Sequence, residues 1–435
     1  MAVVINPPSR NQIAKIAGND PELVRALERL FLQALNLTPT EIDDVNAAIN
    51  RIIENVKFIS SQTDLPDAVG GVITLEAGKT YFITTDIDLQ GDRLETGGVV
   101  TILGTSSETA SITSTGLGVG VPLLTSRYTM PVRFITFKDV DTAIYIDDAG
   151  INGPVALDWY GVNFLNVTTV GEIGDVDNFV YDTGAFLGSQ GMTFTGSIGT
   201  AAFSNSLFRG DGSAANIISI EATATITRRF RIIYSSVVAF GSAVGISAST
   251  SATIPVEGFI LDTVNFSGGS TYVTGVQQDD DKANWSECRG VRNSAAISSY
   301  YMNGNTTATT IATIGVAVKA AGTTTSAPIS QRFTNTANRA TYDGAIQRDF
   351  KVSAVLSCNS GNNNIVGIYI AKNGTLLPES EVYITANAGG RAEGASCQVI
   401  VAMVETDYVE IWVENDTSTT AVTVSELNVI VEALN

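Results

Sequence analysis

Between residues 58 and 297 the sequence is a long succession of short apolar runs separated by turn residues. Each run has three to six residues, and Gly, Asn or Asp stands between most of them. Apolar residues fall on both faces of many runs, as in residues 134–137. In hairpin strands with one solvent-exposed face, apolar and polar residues alternate. Strands stacked in a parallel sheet are buried more fully and carry apolar residues on both faces. The pattern therefore predicts a mainly β protein whose strands over residues 58–305 pack in a stack.

The repeat within this body is visible but irregular. The tripeptide at residues 162–164 returns at residues 264–266, and no constant period links the two. The stretch GGVITLEAGKTYFITTDIDL at residues 70–89, followed by VVTILG at residues 99–104, resembles the first rungs of right-handed parallel β-helices. Such rungs occur in phage tail spikes and in pectate-lyase-like proteins. The resemblance implies a right-handed β-helix and leaves the activity open.

Residues 1–57 differ from the body and read as two short helices. The second helix begins near Thr38 and carries a heptad of β-branched residues, a pattern that favours three or four strands in a coiled coil. The alternative is an ordinary amphipathic helix, since only two heptads are present. Residues 5–14 and 20–31 also resemble N-terminal segments of phage virion proteins. The predicted trimeric seam consists of Ile42, Val45, Ile49, Ile52 and Val56.

The alternating pattern of residues 306–435 predicts an antiparallel jelly-roll sandwich. Several runs alternate as strands, and Lys372-Asn373-Gly374 is a hairpin signal. The segment from residue 332 onward resembles the tumour-necrosis-factor-like and complement-head-like domains of phage structural proteins, which implies trimerisation. In residues 408–414 the aliphatic side chains should face the core. Tyr408 and Trp412 should then face a subunit interface, or alternatively a sugar.

Composition excludes several classes of function. The net charge of −19 argues against a nucleic-acid partner, and the absence of histidine excludes imidazole-based triads and metal sites. We expect no cofactor, no metal site and no membrane span. The three cysteines, at positions 288, 358 and 397, are expected to be thiols. No signal peptide is visible at the start, so synthesis in the host cytoplasm is expected.

Carboxylates offer a route to glycoside cleavage, because two acids about 5–10 Å apart suffice. The weak catalytic candidates are Asp158 and Asp182, and Trp159 with Tyr160 is the candidate sugar-binding pair. The other acids considered are Asp139, Asp141, Asp147, Asp148, Asp175 and Asp177. Against this, Asp is a natural turn residue in every rung. The run at residues 279–281 is likewise expected to be a solvated turn and not a calcium site.

Together the resemblances imply a bacteriophage virion protein. We expect a homotrimeric tail spike or fibre that attaches to other virion proteins through residues 1–57 and adheres to the host surface. One alternative is a capsid decoration or head-fibre protein. A second alternative is a depolymerase that cuts cell-surface polysaccharide, although the sequence favours binding over cleavage.

Overall fold

The structure is a computed structural model that describes residues 54–148, 154–210, 212, 216–241, 243–269, 271–386 and 391–434. It contains two compact units. The first extends to Gln277 and includes Lys282–Asn293, and the second comprises Gln278–Asp281 and Ser294–Asn435. The predicted boundary at residue 305 is therefore too late. A strand at Ile297–Met302 pairs antiparallel with the last strand of the chain and belongs to the second unit.

The first unit is a parallel β-solenoid of three ladders, as predicted. Each turn of the chain visits the second ladder, then the first, then the third. The first ladder contains β1 (Val56–Ile59), β3 (Thr80–Ile83), β6 (Thr101–Gly104), β9 (Val132–Arg133), β12 (Ala156–Tyr160), the second halves of β14 (Thr169–Asp182) and β16 (Met192–Ser204), β19 (Thr225–Ile233), β22 (Phe259–Asp262) and β25 (Ala283–Ser286).

The second ladder is continuous with the first, because β14 and β16 are long enough to run through both. Together these two ladders form a sheet of 17 strands. The remaining members of the second ladder are β2 (Val72–Leu75), β5 (Arg93–Thr96), β8 (Pro122–Ser126), β11 (Thr142–Asp147), β18 (Ile218–Ile220), β21 (Ile246–Ala248) and β24 (Val273–Thr274).

The third ladder is a separate sheet of eight strands. It consists of β4 (Asp86–Asp88), β7 (Ser111–Thr113), β10 (Thr136–Lys138), β13 (Asn163–Leu165), β15 (Ala185–Leu187), β17 (Leu207–Arg209), β20 (Ser236–Val238) and β23 (Asn265–Ser267). The repeated tripeptide of the sequence opens β13 and β23, so the two copies occupy equivalent rungs of this ladder. A 3₁₀ helix at Gln62–Asp64 precedes β2.

The core of the solenoid is built by identical positions stacked from rung to rung. In the third ladder Phe137, Phe164, Phe186 and Phe208 are consecutive register partners. Their ring centroids are 5.7, 5.3 and 5.0 Å apart, and all four are fully buried. Aromatic pairs in this range add stability beyond the area they bury. The apolar position of each rung thus reinforces the register of the next.

At the corner between the first and third ladders, the rungs from Phe134 onward turn through a residue with left-handed backbone. Phe134, Thr183 and Tyr234 have φ of 55°, 55° and 49°. Their N–H groups donate to the carbonyls of Tyr160, Ser204 and Asp262 in the next rung, at 2.9, 3.0 and 3.0 Å. The backbone groups of these turns therefore form hydrogen bonds to the next rung, as the backbone groups of the strands do.

The second unit consists of two antiparallel sheets, as predicted. Its strands are β26 (Ile297–Met302), β27 (Val318–Lys319), β28 (Thr325–Gln331), β29 (Phe333–Thr336), β30 (Arg339–Tyr342), β31 (Arg348–Asn359), β32 (Ile365–Lys372), β33 (Thr375–Leu376), β34 (Val382–Thr385), β35 (Glu393–Met403), β36 (Tyr408–Asn415) and β37 (Thr423–Ala433), with a 3₁₀ helix at Pro378–Ser380.

The five-stranded sheet has the order β28-β26-β37-β31-β35. The seven-stranded sheet has the order β29-β30-β36-β32-β33, with β27 paired to β36 and β34 paired to β32. The predicted hairpin is confirmed: β32 and β33 pair across Asn373 and Gly374, which have φ of 50° and 75°. Two consecutive residues with positive φ are the mark of a type I′ turn.

The predicted coiled-coil seam falls almost wholly outside the described residues. Ile42, Val45, Ile49 and Ile52 lie there, and so do the predicted N-terminal helices, apart from Glu54 and Asn55. Val56 is described, and its assignment to the seam is wrong. It opens β1 and is the register partner of Thr80. The alternating segment VKFI suits a strand because it buries Ile59 in the solenoid core.

Candidate functional site

The predicted sugar-binding pair of Trp159 and Tyr160 is divided between the two faces of β12. Trp159 is 0% exposed, and its Nε1 donates to the carbonyl of Met130 at 3.1 Å. It is a core residue, so its assignment to a carbohydrate site is wrong. Tyr160 is 37% exposed and lies edge-on to Phe134, with ring centroids 5.3 Å apart. Successive side chains of a strand point to opposite faces, which leaves only Tyr160 on the surface.

Asp158 and Asp182 both lie on the outer face of the first ladder. Because Tyr160 is the register partner of Asp182, the two acids are one rung and two residues apart, roughly 8 Å between Cα atoms at the usual strand spacing. However, Asp158 is already paired: its Oδ2 lies 2.6 Å from a guanidinium nitrogen of Arg133. The pair is close enough for chemistry but is engaged in surface interactions.

The environment of Asp182 does not suit a general acid. Burial raises its pKa, but hydrogen bonds to the carboxylate outweigh that effect and hold the pKa below its ordinary value. The donors are the side chains of Asn205, Ser204 and Thr183. An acid catalyst must keep its proton near neutral pH. Asp182 therefore gives no support to a cleavage site on this face.

A different group of acids gathers at the corner between the second and first ladders. Asp147 pairs with Gly174 of the next rung, so Asp148 and Asp175 follow at the same corner. Asp148 is 8% exposed, and its Oδ1 has no hydrogen-bond partner among the described residues. Burial raises the pKa of Asp148, and the charges of Asp175 and Asp147 raise it further. The structure thus places a carboxyl with a raised pKa beside other carboxylates, and glycoside cleavage uses two carboxyl groups with different pKa values.

Local backbone features fix this acid corner. The ladder register shifts between Gly174 and Val176, and Asp175 sits in the irregularity with a φ of 48°. The N–H of Ser197 donates to Asp175 Oδ1 at 2.7 Å. Gly196 is required beside it, since a Cβ there would lie 2.5 Å from that same oxygen. The bulge therefore orients the side chain of Asp175 and holds it in place, as bulges near functional sites commonly do.

A groove with a cavity of about 700 Å³ lies along the corner between the third and second ladders. Three consecutive rungs supply most of its wall: Leu165 and Asn166, Leu187 and Gly188, and Arg209 and Gly210. The turn N–H groups of Asn166, Gly188 and Gly210 donate to the carbonyls of Leu187, Arg209 and Val238 in the following rungs. The glycines leave two of the three rungs without a side chain at the turn, which opens the groove.

Arg209 and Phe240 close one end of this groove. The guanidinium carbon of Arg209 lies 5.7 Å from the centre of the Phe240 ring, a cation–π distance. At the other end the amide nitrogen of Asn166 donates to Asp139 Oδ1 at 3.1 Å. A surface with an aromatic ring, a cation and amide groups has the composition of a polar-ligand site. The sequence did not reveal it, because its residues belong to separate rungs.

The second unit carries the predicted aromatic face on β36. Val409, Ile411 and Val413 are buried in the core, so the predicted alternation is confirmed. Tyr408 lies under Arg339 at 4.4 Å, and Trp412 Nε1 donates to Glu410 at 2.9 Å. No observation tests whether Tyr408 and Trp412 form a subunit interface, which stays a prediction.

A second surface of this unit was not anticipated. The outer face of the five-stranded sheet exposes five large apolar side chains: Tyr301, Ile329, Val355, Ile400 and Ile430. Asn428 is the register partner of both Tyr301 and Val355, which places these two side chains on either side of one strand. Asn428 lies between Tyr301 and Val355, so apolar and polar side chains alternate across this face.

Neighbouring β36, a polar cluster is tightly fitted around a glycine. The hydroxyls of Tyr369 and Tyr383 donate to Glu414 Oε1 at 2.7 and 3.0 Å. A Cβ on Gly367 would lie only 2.7 Å from that oxygen. The cluster therefore depends on the absence of a side chain at position 367.

Within the described ranges, no group of three or more Cys, Asp or Glu side chains is arranged to hold a metal ion. At the acidic run, the carbonyl of Asp280 accepts from Arg332 at 3.1 Å, and Asp281 Oδ1 accepts from the N–H of Ala345 at 3.4 Å. Cys288, Cys358 and Cys397 are free thiols. No helix in the described part of the chain has the length and apolar character of a membrane span.

No protein-family model matches this chain, and no curated protein matches it. Among solved structures it is similar to tailspike protein gp49 from Acinetobacter baumannii bacteriophage Fri1, a capsular polysaccharide depolymerase. The identity is 10% and the TM-score 0.23, over 85% of this chain and 70% of that one. It is also similar to the enzymatically active domain of bacteriophage CBA120 tailspike protein 4, at 9% identity and a TM-score of 0.20. That match covers 82% of this chain and spans 64% of the other.

A third similar structure is murine APRIL, at 6% identity and a TM-score of 0.24. It covers 31% of this chain and 98% of that protein.

Proposed function

We propose that this protein is a bacteriophage virion protein, a trimeric tail spike or fibre that adheres to the host surface. The carrying observation is the order of its units, a parallel solenoid followed by an antiparallel two-sheet unit. That order is what the sequence resemblance to spike β-helices and jelly-roll caps leads one to expect. In this proposal residues 1–57 bind other virion proteins, and the solenoid contacts cell-surface polysaccharide.

The groove of the solenoid supports an adhesive role. It runs across three rungs, roughly 10 Å between the first and last strand at the usual spacing. That length suits a sugar pair better than a compact metabolite. Its lining combines the Phe240 ring with the Arg209 guanidinium and the Asn166 side chain. Aromatic and polar groups of this kind bind both the apolar faces and the hydroxyls of sugars.

The exposed apolar face of the five-stranded sheet supports the trimer. Five apolar side chains that a lone chain would leave in water, led by Val355 and Ile400, would be covered by a neighbouring copy. Tyr408 and Trp412 are the second proposed contact surface. In this arrangement the second unit is a trimerising jelly-roll cap, and the seam from Ile42 to Ile52 holds the other end.

Competition for adsorption tests the adhesive function. Purified full-length protein should reduce adsorption of the phage that encodes it, in proportion to its concentration. A truncation lacking residues 1–35 should compete equally well yet be missing from assembled particles. Full adsorption at saturating protein would refute the adhesion proposal. A label on this protein that maps to the head surface of the particle would favour the capsid-decoration alternative.

Depolymerisation of the same polysaccharide is the second candidate, and the acid corner specifically favours it. In this candidate Asp148 is the acid: it is buried beside Asp147 and Asp175, and its Oδ1 has no hydrogen-bond partner among the described residues. Asp175, whose Oδ1 accepts from the N–H of Ser197, is held as the partner carboxylate. Neighbouring rungs place such groups roughly 5 Å apart along the ladder, within the range used by glycosidases.

Chain-length analysis of host polysaccharide after incubation with the protein tests this candidate. Shortening should disappear in Asp148→Asn and Asp175→Asn and persist in Asp158→Asn. Asp158 is the matched control because it is a solenoid acid already paired with Arg133. If Asp158→Asn abolishes shortening and Asp148→Asn does not, the first-ladder face is the site and the acid corner is not.

A further inference from the structure

We propose that the groove along the third-to-second corner binds a carboxylate-bearing sugar, with the Arg209 guanidinium as its anion-binding group. This inference rests on the proposed adhesive function and names the chemistry of its ligand. It follows from three features of the groove: the state of Arg209, the shape of the floor and the distribution of charge.

Arg209 is held in place without being neutralised. It is the last residue of β17, where its backbone carbonyl accepts from the N–H groups of Gly188 and Ser189 at 3.0 and 3.4 Å. Its exposed side chain reaches Phe240, whose ring lies 5.7 Å from the guanidinium carbon. Among the residues that the structure describes, no carboxylate forms an ion pair with it. Within the described part of the chain, its N–H fork is therefore left for a ligand.

Three other arginines of the solenoid are paired with carboxylates. Arg93, Arg133 and Arg228 lie within 3.4, 2.6 and 3.1 Å of carboxylate oxygens of Glu95, Asp158 and Asp177. On a chain with a net charge of −19, a guanidinium has many acids available. The guanidinium carbon of Arg209 instead lies 5.7 Å from the centre of the Phe240 ring, at the edge of a cavity. A guanidinium binds carboxylates in two-point contact through its planar N–H fork.

The floor of the groove gives the sugar room to approach. Gly188 and Gly210 occupy the turn positions of two adjacent rungs. A Cβ at these positions would lie 3.4 Å from Asn166 Oδ1 and 3.1 Å from Gln190 Oε1 respectively, so side chains would narrow the groove. The Phe240 ring offers an apolar surface for the face of the sugar.

Charge orients the ligand within the groove. Asp139 contacts Asn166 at the end away from Arg209 and repels an anion there. The carboxylate of the sugar thus lies at the Arg209 end, and hydroxyl groups lie at the Asn166 end. A neutral sugar would use the ring and the amide but leave the guanidinium without a partner.

The experiment measures binding of the full-length protein to the purified surface polysaccharide of the host bacterium. The polysaccharide is used in its native form and after chemical reduction of its carboxyl groups. We expect reduction to weaken binding to the wild type about 10- to 100-fold, the range for a charged hydrogen bond. Arg209→Met should cause a loss of the same order with the native form and little further loss with the reduced form. Arg209→Lys should be intermediate, because it keeps the charge and loses the planar fork.

Arg229→Met is the matched control, since it removes one positive charge from an exposed position on the first ladder. It should stay within about twofold of the wild type, as an outlying charge does. Native polysaccharide that binds Arg209→Met as tightly as the wild type overturns the inference and leaves the adhesive function standing. Tight binding of a polysaccharide that has no carboxylates does the same. A wild-type protein that neither binds the polysaccharide nor competes for adsorption refutes the adhesive function itself.

Discussion

Replacing Trp159 with alanine separates a core role from a binding role for this residue. The indole is fully buried, contacts the Phe179 ring edge-on at 5.5 Å and donates to the Met130 carbonyl at 3.1 Å. Truncating a buried Trp to Ala costs about 3–5 kcal/mol, from lost transfer energy and the cavity left behind. The orphaned Met130 carbonyl moves the expected loss toward the upper end of that range.

Tyr160→Ala is the natural comparison, because it removes an aromatic ring from the next residue of the same strand. That ring is partly exposed and mainly loses its edge contact with Phe134, so the expected cost is about 0.5–1.5 kcal/mol. The measurement is urea denaturation followed by far-ultraviolet circular dichroism, with the slope of the transition checked for each variant. Polysaccharide binding is measured in parallel, per folded molecule.

The expected result is a large loss of stability in Trp159→Ala and an unchanged affinity in the fraction that remains folded. If Trp159→Ala unfolds at the wild-type urea concentration and loses polysaccharide binding, the indole is on the surface. The parity of β12, and with it the register of the first ladder, would then be wrong.

Three further predictions concern a titrating acid, a tight glycine and the N-terminal seam. Burial and neighbouring charge raise the pKa of Asp148 in the folded protein. Just above pH 3.8 the folded protein therefore keeps a proton on Asp148 that the unfolded chain loses. The free energy of unfolding consequently falls as the pH rises from the unfolded pKa through the folded pKa. Asp148→Asn should therefore gain stability over the wild type at neutral pH and gain none well below pH 3.8, by urea midpoints; a pH-independent difference contradicts this. Gly367→Ala should cost the second unit about 1–3 kcal/mol by overpacking against Glu414, whereas Gly394→Ala, with open space around it, should cost far less in thermal unfolding. Ile49→Asp should lower the mass of the assembly in light scattering, and a wild-type monomer would end the trimer prediction.

The body was predictable because its sequence carries the solenoid pattern at every rung. The tripeptides that open β13 and β23 are recognisable as equivalent, and the Asn-Gly hairpin has the backbone that its residues demand. The sequence did not predict which side chains of β12 face the core and which face solvent. Its neighbours Asp158 and Tyr160 are compatible with either face, and outward positions elsewhere in the ladder carry apolar residues such as Ile260. A single aromatic residue therefore does not reveal its side.

The groove and the acid corner were harder to predict for a different reason. The groove joins residues from rungs more than twenty positions apart, and glycines supply part of its floor. The acids of the corner were among the candidates, but only the register shift after Gly174 distinguishes Asp175 from an ordinary turn residue. The unit boundary was placed too late because β26 alternates much as the solenoid strands do, and its antiparallel partner lies at the far end of the chain.

The rung-to-rung hydrogen bonds at the corners have a consequence for how such a body changes in evolution. From Phe134 onward, each rung presents to the next three strand positions of the third ladder and a left-handed turn before them, as the pairing of Ala185 with Leu207 illustrates. Removing or duplicating one full turn in this part of the chain therefore keeps the backbone pairing of the third ladder in register. The length of the solenoid can therefore change in steps of one rung, each roughly 4.8 Å along the axis. The groove needs only three rungs, so rungs gained or lost elsewhere leave its lining unchanged.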